Sequence, residues 1–191
     1  LSREREDVAE AKGTIYLSVE KFVLDRWGED ALTSCLERME PDDKVVLNDV
    51  LAMGWYPLEP VIRFHRIVDT TLGSGDLQLV EEIGKYSAEW QLNAFHRFLL
   101  KVKDPRWMID KAGQVWDRFH RTGRWEVEAP DDHTVAGRLY DFEVADECFC
   151  RRETGWFHRA AELTGGEGVT VYKPKCRARG DDWCEWVGKF V

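Results

Sequence analysis

Apolar positions follow a helical period over most of the chain and switch to alternation after residue 123. In "SVEKFVLDRWGEDALTSCLERM", Val19, Phe22, Val23, Trp27, Leu32 and Leu36 recur at near-helical spacing, and Gly28 divides the stretch into two helices. "PDDKVVLNDVL" opens a short helix with Pro41 and two acids in its first turn, where a missing N–H costs nothing and negative charge meets the helix dipole. Gly54 and Pro57 turn the chain into a helix from about Leu58 to Leu72, which Gly73 and Gly75 stop. "DLQLVEEIGKYSAEWQLNAFHRFLLKVKDP" can align Leu79, Ile83, Tyr86, Trp90, Ala94 and Leu99 on one face before Pro105 ends it. A further helix, "PRWMIDKAGQVWDRFHRTG", carries Met108, Val115, Trp116 and Phe119.

Beyond Gly123, "RWEVEA" and "HTVAGRLYDFEV" alternate and pair across "PDD". "DECFCRRETGWFHRAAELTGG" returns to helix, with Phe149, Trp156, Ala160 and Leu163 on one side, and "GVTVYKPKC" and "WCEWVGKFV" form a last hairpin. The prediction is an α+β fold: a helical N-terminal two-thirds, residues 1–123, then strand-strand-helix-strand-strand over 124–191, giving a four-stranded antiparallel sheet with helices packed against it in a single domain, 1–191.

Composition narrows the function. The chain has 191 residues, 43% hydrophobic and 12% aromatic with nine tryptophans, which suits a filled globular core rather than disorder. Twenty-seven basic against 36 acidic residues give a net charge of -9, so nucleic acid is not an expected partner. Apolar runs are short and broken by charges, and "LSREREDVAEAKG" lacks the apolar stretch of a signal peptide, so no membrane span and a cytoplasmic location are expected. Phosphate loops, dinucleotide fingerprints, nucleophile elbows and His-Glu protease motifs are missing, so the reading is non-enzymatic.

The chemistry-bearing residues centre on cysteine. In a final hairpin that sets Cys176 against Cys184, Pro174 against Trp186 and Tyr172 against Gly188, both thiols point to one side. Cys150, opening the helix that crosses between the two hairpins, is the candidate third thiol of a metal site. Without a C-x-x-C pair the spacing also suits three buried thiols. Cys35 reads as core. Among the histidines, His65 and His96 read as structural or surface residues, His120 and His133 as surface or turn residues, and His158 as a weak candidate ligand.

The terminal Cys-x3-Gly-x3-Cys hairpin, preceded by "CRRETGW", resembles the four-vinyl-reductase-type ligand-binding domain. That domain shares its fold with the heme nitric-oxide-binding domains and with the Bet-type subunits of the Golgi transport complex. "SVEKFVLDRWGEDALTSCLERM" is similar to the N-terminal helices of the heme branch, and with "GWYPLEP" and "EIGKYSAEW" the whole chain looks most like a paralogous family of myxobacterial proteins. The resemblance implies zinc held structurally by Cys150, Cys176 and Cys184. The position of the usual glutamate ligand is Lys173, so either the fourth donor falls to Cys148, Glu147, Glu153, Asp181 or Asp182, or the metal has been lost. It also implies that no heme is expected, because the Tyr-x-Ser-x-Arg motif is matched only by Tyr16 and Ser18, with Glu20 in place of the arginine and every histidine downstream.

Function then reads as a sensory module. Trp90, Phe95, Trp107, Trp116 and Phe119 on the helices, with Tyr140 and Phe142 on the sheet side, would enclose a pocket for a small apolar ligand, and occupancy would pass to a protein partner or to the second copy of a homodimer. The alternative is an interaction module without a ligand, with Trp55, Tyr56 and Trp125 at an interface.

Overall fold

The computed structural model describes residues 9–95 and 107–191, with side chains described outside 93–110. A first strand, β1 (Glu10–Lys12), leads into α1 (Gly13–Trp27), α2 (Glu29–Glu37) and α3 (Pro41–Asn48). β2 (Trp55–Pro57) pairs back antiparallel on β1 and hands the chain to α4 (Leu58–Leu72), α5 (Gln78–Phe95) and α6 (Trp107–Phe119). There follow β3 (Arg124–Asp131), β4 (Thr134–Tyr140), α7 (Glu147–Leu163), β5 (Thr170–Lys175) and β6 (Cys184–Lys189), in an antiparallel sheet of order β3-β4-β6-β5. The α+β architecture is therefore the one the hydrophobic pattern predicts. The small β1-β2 sheet is an addition, since three-residue strands are too short to show alternation.

Local chemistry explains the boundaries. Gly28 takes φ 82°, a left-handed value that stops α1 at a position where a side chain would be strained. Pro41 starts α3 from the first helical position. The Asp146 carboxylate caps α7 by accepting the N–H groups of Cys148 (2.7 Å) and Phe149 (3.1 Å), and it is also gripped by Arg66 from α4 at 2.9 Å.

The central packing event is α7 lying directly on α5. A Cβ on Gly84 would sit 2.0 Å from the Arg152 carbonyl oxygen, and one on Gly155 would sit 2.0 Å from the Glu81 carbonyl oxygen. Reciprocal glycines thus let two helix backbones touch. Trp156 then donates its indole N–H to the Gln91 carbonyl oxygen at 2.9 Å in the buried seam. A second hydrogen bond, Ser18 to Ser87 at 2.8 Å, ties α1 to the far side of α5.

The last hairpin departs from its predicted register. Lys175 opposes Glu185 as expected from a Cys176–Cys184 frame, but Tyr172 opposes Val187 rather than Gly188, with a register shift between Tyr172 and Lys175. Pro174 lies within that stretch and has no N–H to give the ladder, so one residue is bulged out there. The shift turns Tyr172 to solvent, 47% exposed, and leaves the two cysteines facing inward together.

Candidate functional site

Two arrangements stand out, both built around α7. The first is a cavity of about 130 Å³ between α6, α7 and the inner face of the sheet. α6 contributes Trp116 and Phe119, α7 contributes Trp156, Phe157 and Ala160, and the strands contribute Trp125 and Trp186. The rings form a continuous aromatic wall: Trp116 stacks on Trp125 at 5.5 Å, and Trp125 meets Phe157 at 5.2 Å and Trp186 at 5.6 Å. Gly137 makes the wall possible, because a Cβ there would fall 2.6 Å from the Trp125 ring. The indole N–H groups of Trp116, Trp156 and Trp186 are bonded away, to the Thr122 carbonyl, Gln91 and Thr154, which leaves their carbon faces to line the space.

Of the residues predicted to line a pocket, Trp116 and Phe119 do so. Tyr140 does not appear on the wall; it faces Trp183 at 5.6 Å with the Arg124 guanidinium over its ring. Alternation is the reason, since its neighbour Leu139 takes the inward position. Trp90 is half-buried on α5 and absent from the wall, and the side chains of Phe95 and Trp107 fall outside the described residues. Phe142 is buried against Trp116 and Phe149. Trp125, read as a candidate interface residue, is instead part of the cavity, while Trp55 lies under Lys12 and Arg121.

Three polar side chains interrupt this apolar wall: His120, Arg152 and Glu153. His120 is a correction to the sequence reading. It is 3% exposed, not a surface or turn residue, because α6 ends under β1, where Ala11 bridges to it, and its ring stacks on Trp116 at 3.9 Å. Neither ring nitrogen meets a hydrogen-bond partner among the described residues. Burial, with the Arg152 charge nearby, pushes its pKa well down, so the imidazole is neutral at pH 7. Arg152 and Glu153, 4% and 3% exposed, form an ion pair at 2.5 Å through Nη1, and Arg152 Nε and Nη2 are unpartnered among the described residues. Burial raises the Glu153 carboxyl, and the guanidinium beside it opposes the rise.

Both residues also line a second cavity of about 10 Å³ with His65. The His65 Nδ1 lies 2.6 Å from the Val61 carbonyl, which can only accept, so Nδ1 carries the proton and Nε2 holds a lone pair. Burial, then Arg152, lowers the His65 pKa to about 3.

The second arrangement is the thiol cluster. Cys150 Sγ lies 3.7 Å from Cys184 Sγ and 3.7 Å from Cys176 Sγ, and all three sulfurs fall within 4.8 Å of one another, fully buried. A tetrahedral site with metal–sulfur bonds of ~2.3 Å has sulfur–sulfur edges of about 3.8 Å. The Cys176 loop folds back on itself, with the Arg179 N–H on the Cys176 carbonyl at 2.8 Å and the Cys176 N–H on Asp181 at 2.7 Å, while the Arg177 N–H reaches Cys184 Sγ at 3.4 Å. Within the Cys150–Cys184 pair, the surroundings favour the thiolate on Cys184. The Cys150 S–H donates to it, and the Arg177 N–H and the Lys173 ammonium add to the effect, so its pKa is lowered and that of Cys150 is raised.

None of the expected fourth donors joins the cluster among the described residues. Cys148 Sγ points to the Ile62 carbonyl at 3.7 Å, and burial pushes its thiol up to about 12. Glu153 is held by Arg152, Asp181 by the Cys176 N–H, and Glu147 and Asp182 are exposed. His158 donates to the Val169 carbonyl at 2.9 Å. Lys173, where a glutamate would stand, places its ammonium 3.5 Å over the Trp186 ring.

No protein-family model and no curated protein sequence matches the chain. Solved structures do match its fold. An H-NOX protein from Shewanella oneidensis, solved in the Fe(II)NO ligation state, superposes with a TM-score of 0.73 at 16% identity, covering 94% of this chain and 99% of that one. The unliganded Fe(II) H-NOX protein from K. algicida gives 0.73 at 12% identity, covering 94% and 96%. A structure described under protein-induced porphyrin distortion and heme redox potential gives 0.65 at 14% identity, covering 94% and 99%. The chain thus has the H-NOX fold along nearly its whole described length.

These neighbours overturn the expectation that no heme is bound, since their structures are described by an iron ligation state and by heme with a distorted porphyrin. The expectation rested on a short motif at Tyr16, Ser18 and Glu20. It took no account of His120, whose neutral imidazole is buried beside the cavity. The expected zinc gains nothing from the same neighbours; what bears on a metal here is the thiol geometry.

Proposed function

We propose that this chain is a non-enzymatic sensory module that takes a small apolar molecule into the cavity between α6, α7 and the sheet and passes its occupancy to a protein partner. The observation that carries this reading is the aromatic-walled cavity itself, at about 130 Å³. An apolar cavity of roughly 150 Å³ accepts a benzene ring. α7 forms one wall of the cavity, lies backbone to backbone on α5 and carries Cys150, so a shift of α7 would reach both the helical half and the terminal hairpin. Within the shared fold, the cysteine hairpin favours the four-vinyl-reductase-type branch and its myxobacterial relatives. An odd cysteine count suits a reducing, cytoplasmic setting.

The test is thermal stability with single-ring compounds, compared with Ala160→Phe, which places a ring in the cavity. Wild type is expected to gain stability with ligand, by about 2.7 kcal/mol at 100 times Kd, and the variant to gain none. Equal gains in both proteins would remove the cavity from the reading.

The H-NOX fold supports a second reading, in which the chain holds heme with His120 as its ligand; the cavity takes a single ring as it stands, so α6 would have to move off the sheet to admit a porphyrin. Bound heme would supply an iron centre for a diatomic gas. The protein's part would be the His120 imidazole and the aromatic walls. Hemin titration should then give a Soret band that His120→Gly abolishes; a band unchanged in that variant would exclude His120 as the ligand.

A further inference from the structure

We infer that the thiol cluster is a site for a soft divalent cation of the cadmium or mercury class, held by three thiolates alone, and that the buried Lys173 ammonium is its counter-charge in place of a fourth ligand. The inference is independent of the cavity and of what the cavity takes. Sulfur sets the class of ion. Cys150 Sγ stands 3.7 Å from both Cys176 Sγ and Cys184 Sγ, and no other metal-binding side chain joins them among the described residues. Thiolate ligands select soft ions. Zinc in a closed structural site takes four donors, and the donors here stop at three. A larger, softer ion is satisfied by thiolate sulfur without the fourth.

Lys173 sets the charge of that ion. The register shift that turns Tyr172 outward leaves its neighbour Lys173 turned inward, with its carbonyl held by Arg179 at 3.0 Å and its Nζ 3.5 Å over the Trp186 ring. Nζ is buried and meets no hydrogen-bond partner among the described residues. Its charge acts on both Cys150 and Cys184, so the cation lies beside sulfurs that it cannot help to ligate an ion. An ammonium buried without an anion is destabilising. Once their protons pass to solvent, three thiolates around a divalent ion carry one net negative charge, which the ammonium cancels. A trivalent ion leaves no charge to cancel, and a monovalent ion leaves two. The loop between Cys176 and Cys184 is exposed from Ala178 to Asp182, which gives an ion a way in.

The experiment titrates cadmium, zinc and arsenite into the reduced full chain of wild type, Lys173→Met, Lys173→Arg and Cys176→Ser. Affinities are read by competition against a chelator or a dithiol, and sulfur ligation by charge-transfer absorption. Wild type is expected to bind cadmium more tightly than zinc, and Cys176→Ser to lose it. Lys173→Met should weaken cadmium roughly 10–100-fold, and Lys173→Arg should restore it. Arsenite, whose As(III) forms a neutral complex with three thiolates, should bind Lys173→Met as well as wild type or better, which also reports that the thiols are still in place. Zinc bound more tightly than cadmium, or cadmium unchanged in Lys173→Met, overturns the proposal. Cadmium and arsenite weakened together overturn it too, since Lys173 would then only hold the hairpin in shape. Should the methionine variant not fold, Lys173→Gln carries the same comparison. A wild type that binds neither cadmium nor arsenite has a plain cluster of buried thiols, and the inference fails.

Discussion

At the scale of single residues, burial sets the chemistry. His65 and His120 are held neutral in the folded chain, His65 with a pKa near 3, whereas both titrate near 6.5 when unfolded. The unfolded state therefore binds more protons below about pH 6.5, and stability is lost as pH falls from there toward the folded values. Each histidine contributes a slope of about 1.4 kcal/mol per pH unit. Urea midpoints measured from pH 7 to 4 should fall accordingly, and His65→Asn should flatten the slope by one such increment; an unchanged slope would show that His65 is not buried neutral. None of this was legible in the sequence. "RFHRTG" reads as the polar end of a helix, and only β1 closing over His120, from more than a hundred residues away, makes it interior.

At the scale of elements, most boundaries were legible because they rest on local chemistry: Gly28 between α1 and α2, Pro41 at the head of α3, and Leu58 to Leu72 for α4. What the pattern could not rank was the glycines. Gly155 and Gly113 both sit inside helices, but a Cβ on Gly155 would strike the Glu81 carbonyl at 2.0 Å, while one on Gly113 meets nothing within 4 Å among the described residues. Gly155→Ala should therefore cost about 1–3 kcal/mol or more, and Gly113→Ala should stabilise by about 0.5–1 kcal/mol. Chemical denaturation of the two variants checks the contrast, and a tolerated Gly155→Ala would contradict the α5–α7 contact. The last hairpin shows the same limit: alternation placed Cys176 and Cys184 on one face, but the shift at Pro174 that exposes Tyr172 depends on how the ladder absorbs a missing N–H.

For the molecule as a whole, the terminal hairpin and the start of α7 become one unit if the three thiols hold a thiophilic metal ion, which their 3.7 Å spacings support. Native mass spectrometry should find one ion per chain, absent in Cys176→Ser, and a chelator should lower the melting temperature of wild type but not of the variant; an ion retained by the variant would rule out this cluster as the site. The sequence by itself determined the α+β class, the order of the helices and of the four-stranded sheet's strands, and the placement of Cys176 and Cys184 on one side of the last hairpin, since these follow from periodicity and turn chemistry over a few residues. Tertiary structure alone decided that Cys150 meets that pair, that Tyr140 turns away from the cavity while Trp125 enters it, and that His120, Arg152 and Glu153 share an apolar wall. Those facts depend on α7 crossing the sheet at contact distance from α5, and a crossing between distant segments leaves no local periodicity to read.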